Sequence, residues 1–130
     1  MARFATLDEY LQSIADPEHR AAFAGLLVRI ERTWPQLECE VKWNQPMYTH
    51  HATFIIGFTA LAHHITVGPE RRTLAHVMPR IEELGLAHGT KTFRIGYDEP
   101  QWDLLSDAIE WTVADKREIT TFWDNRPVDR

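Results

Sequence analysis

The sequence predicts an α+β fold: a two-layer sandwich with helices packed on one side of a mainly antiparallel sheet of four to five strands, in the order α-α-β-β-β-α-β-α. Three observations predict it. Apolar residues recur at helical spacing near both ends of the chain and once in the middle; the period falls to two between Cys39 and Val67 and again around Phe93; and no helical segment separates the first three strands.

Thr6-Leu7-Asp8-Glu9 has the form of a capping box, in which Thr6 and Glu9 satisfy each other's backbone amides, and Leu7, Tyr10, Leu11 and Ile14 follow on one face. Asp16-Pro17 restarts a helix, Asp as cap and Pro in the first turn, and Phe23, Leu26, Leu27 and Ile30 carry it to Trp34-Pro35. Val41 and Trp43 then alternate with Lys42 and Asn44 until Pro46 breaks the strand, and ATFIIGF and HHITV supply two more. Leu74, Val77, Met78, Ile81 and Leu84 mark a third helix, closed by Gly85 and Gly89, with Pro79 inside it as a kink or a late restart. KTFRIGY alternates as a fourth strand, the last helix runs from about Pro100 to Lys116, and the polar tail NRPVDR is expected to be loose.

At 130 residues the chain suits one domain, spanning residues 1–130, and it contains no repeat or linker that would divide it. The formal charge of −5 and the scattered Lys and Arg speak against nucleic acid and suit a metal cation or a basic partner. A single cysteine, Cys39, rules out an internal disulfide and a multi-cysteine metal site, and is expected to pack as a small buried hydrophobe. No segment approaches the ~18 apolar residues that span a bilayer and the amino terminus lacks the apolar core of a secretory signal, so a cytoplasmic protein without membrane contact is expected.

His63-His64 opens the third predicted strand. If Phe54–Phe58 pairs with His63–Val67 across the loop Thr59–Ala62, Phe58 faces His63, Phe54 faces Val67, and His64 turns to the opposite face, beside the vacancy at Gly57 and with Thr66 and Arg94 as neighbours. Such a histidine either contacts an anion or polar ligand or bonds its own backbone. His50-His51 repeats the pattern on an extended segment. In the last helix Asp103, Asp107 and Glu110 fall at spacings of four and three, an acidic stripe that is either a solvated face or a weak site for a hard cation. No GxSxG, phosphate loop or activated cysteine is present, so a non-catalytic protein is expected. Of the five tryptophans most should be core, with Trp111 and Trp123 placed where a flank is exposed, which suits a dimer contact or a partner surface, and a monomer or a homodimer is expected.

VKWNQPMY, FIIGFTALAHHITVGP and ELGLAHGTKTFRIGYDEP, followed by a terminal helix, together resemble the YdhG-like family of small bacterial domains of unknown function, described as iron chaperones similar to frataxin. The Trp-x-x-Pro-x-Tyr segment is met by Trp43, Pro46 and Tyr48, and the Phe-x-Ala-x-x-x-His-Ile hairpin by Phe58, Ala60, His64 and Ile65. Pro69 follows the strand, while Ala62-His63 stands where lysines are usual. The resemblance implies an α+β cytoplasmic domain and, through the iron-chaperone description, one that holds Fe(II) weakly and passes it to an iron-acceptor protein; the acidic stripe of Asp103, Asp107 and Glu110, read from its spacing, is then the candidate metal site. A second expectation is a binding module for a small anion or a protein partner on a face containing Trp43, Tyr48, His64 and Arg94.

Overall fold

A computed structural model describes residues 4–128. Among them lie helices α1 (Leu7–Gln12) and α2 (Pro17–Thr33), strands β1 (Glu38–Lys42), β2 (Gln45–His50), β3 (Thr53–Ala60) and β4 (Ile65–Pro69), helix α3 (Arg71–Glu83), strand β5 (Phe93–Ile95) and helix α4 (Trp102–Asp115). The five strands form one antiparallel sheet in chain order, β1-β2-β3-β4-β5. Helix side chains Phe23, Leu27, Ile30, Val77, Ile81, Leu105 and Ile109 are sealed against Tyr48, Ile56, Phe58, Ile65, Val67 and Phe93 on one sheet face. The two-layer α+β expectation therefore holds, with one strand more than its written order.

The added strand is β2, and the reason lies at Pro46. Trp43 and Asn44 form a two-residue turn with φ of 50° and 58°, so Lys42 pairs with Gln45 and Val41 with Pro46. In such a hairpin the closing pair exchanges the hydrogen bonds and the next pair needs none between its two strands, so Pro46 continues the strand instead of breaking it. A second two-residue turn, His51-Ala52 with φ of 35° and 75°, joins β2 to β3. His50-His51 is thus not an extended segment, and the two rings lie 4.4 Å apart.

A register shift between Tyr48 and Thr49 changes which face β3 presents. Tyr48 pairs with Ile56 and Thr49 with Phe54, leaving Ile55 as the extra residue of a bulge. Ile55 and Ile56 both join the core, and Phe54 is turned to the other side of the sheet. The anticipated Phe54–Val67 pair does not form: Val67 lies opposite Phe58, and Phe54 packs on Trp123 at 5.1 Å.

The capping box of α1 and the Asp16 cap of α2 form as anticipated. Pro79 does not restart α3, which runs continuously through it to Glu83 and is closed by Gly85 at φ 68°, with the Leu86 amide donating to the Ile81 carbonyl at 3.1 Å. The tail is not loose where it is described. Arg126 binds Asp124 and Asp115, Arg72 binds both Asp115 and the Pro127 carbonyl, and the remainder of the anticipated tail, Asp129 and Arg130, lies outside the described residues.

Candidate functional site

The sheet face away from the helices carries a groove of about 590 Å³. Its floor is made by Gly57 on β3 and Gly68 on β4, which are direct cross-strand partners. Met47 and Phe54 supply apolar walls, the latter delivered there by the bulge, and Thr59, Thr66 and Thr92 add hydroxyls. Residues 120–128 return over this face as a strap. The Phe54 amide donates to the Phe122 carbonyl at 2.9 Å, and Trp123 stacks on Trp43 at 5.8 Å, so the strap forms one bank of the groove.

Electrostatics hold the strap in place. Lys116 has a side chain only 1% exposed, and its ammonium donates to Glu70 Oε2 and the Phe54 carbonyl, each at 2.5 Å. Desolvation pushes its pKa below the usual lysine value, opposed by the Glu70 bond. Glu70 Oε2 also accepts the Asp124 amide at 3.1 Å, which links the start of α3 to the strap. A bidentate Arg72–Asp115 pair at 2.8 and 2.9 Å is joined by Arg126, and hydrogen bonds from Arg72 and Arg126 hold the Asp115 and Asp124 carboxyls below their usual range. None of these groups was singled out by sequence reasoning, because Glu70 and Lys116 are 46 positions apart and no local pattern marks the pair.

The anticipated ligand face of Trp43, Tyr48, His64 and Arg94 is not assembled as one surface. Trp43 is exposed at the β1–β2 turn, against Trp123. Tyr48 is fully buried on the helix side, its hydroxyl donating to Glu31 Oε2 at 2.7 Å, and burial raises its pKa far above the ordinary phenol value. Its strand partner Cys39 is half-buried and pushed up to about 11 by burial and then by Glu31, so it is an inert thiol and not a fully enclosed one.

His64 lies in the loop between β3 and β4, not on a strand. Thr59 and Ala60 continue β3 to pair with Thr66 and Ile65, and the Leu61 amide donates to the His64 carbonyl at 2.9 Å, so the loop is Leu61–His64. Gly57 consequently faces Gly68, and the vacancy it leaves belongs to the groove instead of to His64. His64 does adjoin Arg94, which pairs across from Thr66 on the groove side. Desolvation, then Arg94 and His63, keep the imidazole below its ordinary pKa, and its Nε2 is enclosed without a hydrogen-bond partner.

On α4, Asp103 and Glu110 are exposed and Asp107 is half-exposed. Asp107 Oδ1 accepts from the His76 ring Nε2 at 3.1 Å, and Glu110 accepts the Trp34 indole N–H at 3.3 Å. His76, which stacks on Trp111 at 4.6 Å, escaped the sequence reading since it reaches the acidic stripe only through α3–α4 packing. Among the described residues, no group of three or more His, Cys, Asp or Glu side chains is arranged to hold a metal ion.

A meandering five-stranded sheet backed by helices, with a groove on its free face, defines a small α+β protein. No family model matches the chain. It is 43% identical over 116 residues, 88% of its length and 94% of the relative's, to a Bacillus subtilis (strain 168) protein named "Intracellular iron chaperone frataxin". The crystal structure of YdhG, a DUF1801-family protein from Bacillus subtilis, superposes with a TM-score of 0.86 at 42% identity, covering 91% of this chain and 96% of that one. An uncharacterised conserved protein from Lactobacillus casei gives a TM-score of 0.61 at 35% identity, covering 92% and 99%. This chain belongs to the YdhG-like, DUF1801 family.

Proposed function

We propose that this protein is a non-catalytic, cytoplasmic iron chaperone, holding Fe(II) loosely as cargo and passing it to an acceptor protein. The observation that carries this reading is the 43% identity, over 88% of the chain, to a relative whose name is an intracellular iron chaperone. Among the described residues no helix is long and apolar enough to cross a membrane. The donor chemistry of α4 fits such a cargo: Asp103 and Glu110 offer exposed, hard carboxylate oxygens, and the His76–Asp107 pair adds an imidazole next to them. Exposed carboxylates of this kind contact a divalent ion partly through its retained water, which favours weak, exchangeable binding suited to transfer.

Anaerobic Fe(II) titration followed by NMR tests the reading. Paramagnetic broadening should centre on Asp103, Asp107 and Glu110, and the variant Asp103→Asn/Asp107→Asn/Glu110→Gln should weaken binding at least about tenfold. Resonances on α4 that stay sharp while iron is taken up elsewhere, or not at all, would remove this assignment.

A further inference from the structure

We propose that the groove floored by Gly57 and Gly68 is a binding site for a small organic anion with a flat apolar body, independent of any iron held on α4. Neither glycine has a positive φ that would require the residue. Nor does close packing demand Gly68: a Cβ there would meet Thr92 Cγ2 and the Gly57 carbonyl at an ordinary 3.9 Å. Over Gly57 the groove's own walls close in, since a Cβ there would meet Met47 Cγ at 3.4 Å and Phe54 Cε1 at 3.6 Å, so the open backbone of the floor lies at Gly68, and the 590 Å³ of the groove lies within the ~300 to 1,000 Å³ usual for small-molecule sites. Phe54, Met47 and Trp123 surround that floor with two aromatic rings and a thioether, which suit a planar apolar body.

The charge on the ligand follows from which lining groups are already matched. Glu70 is neutralised by Lys116 and Asp124 by Arg126, whereas Arg71 and Lys91 are exposed on the lining and make no ion pair among the described residues. On a chain of net charge −5 this rim presents uncompensated positive charge, the complement of a carboxylate or similar anion. The site is a face and not a sheet edge, so it offers an extended peptide no strand to pair with.

Two-dimensional NMR with indole-3-acetate, compared with neutral indole and cationic tryptamine, tests the site. Indole-3-acetate should shift the amides of Gly57, Gly68 and Thr92 and the Trp123 indole N–H, and should bind better than both analogues. Arg71→Ala/Lys91→Ala, at two exposed positions that leave the fold intact, should weaken the acid about tenfold and leave indole unchanged, and Gly68→Leu should remove both. Equal binding of all three probes, acid binding insensitive to the double variant, or no shift at millimolar concentration would overturn the proposal.

Discussion

At the scale of single residues, two tight turns store conformational cost in side-chain-bearing positions. Trp43, Asn44, His51 and Ala52 all have positive φ, and Ala52 at 75° gains nothing from it, unlike His51, whose ring reaches the Lys116 carbonyl at 3.3 Å. Ala52→Gly is expected to raise stability by about 0.5 to 1 kcal/mol, relief of left-handed strain outweighing the added freedom of the unfolded chain, as read by the urea midpoint at unchanged slope. This scale also marks where sequence reasoning succeeded and failed. The Gly57 vacancy was legible from alternation, but its neighbour was assigned to His64 and not Gly68. A hairpin displaced by four positions preserves the two-residue alternation while changing every partner, so alternation alone has no power to detect the slip.

Among the elements, the strap is the part that sequence could least reveal. Helical periodicity exposed α2, α3 and α4 because each has one buried face, and β3, buried on both, was legible as a short apolar run, whereas β2 was missed because Pro46 was weighed as a breaker without the turn beside it. Residues 120–128 have neither periodicity, and their position is set by Lys116, Glu70, Asp124 and Arg126 acting across long separations. Lys116→Met should cost about 3 to 5 kcal/mol, since it leaves the Glu70 carboxylate and the Phe54 carbonyl without their buried cation. Adding Glu70→Gln should recover part of that loss, and a double-mutant cycle by chemical denaturation measures the coupling. If the single and double variants are equally destabilised, the ion pair does not hold the strap.

For the whole molecule, pH sets two successive limits. Asp115 and Asp124 have native pKa values below the ordinary carboxylate value, so as acid is added the unfolded chain takes up their protons first. The stability they confer is complete above about pH 4 and is lost as pH falls through their native values. His64, whose native pKa is lowered, adds an earlier loss that begins below about pH 6.5, where the unfolded histidine protonates before the native one. Denaturation series should show both steps, with Asp115→Asn lowering stability at neutral pH and flattening the acid limb alone. The strand order has a kinetic corollary. Neighbouring strands β1 to β4 follow one another along the chain, so that part of the sheet can zip together through short loops, whereas the strap must close contacts as far apart as Thr53 and Phe122. Assembly should accordingly finish at the carboxyl-terminal end, and a newly collapsed chain would pass through a form whose outer face is still bare.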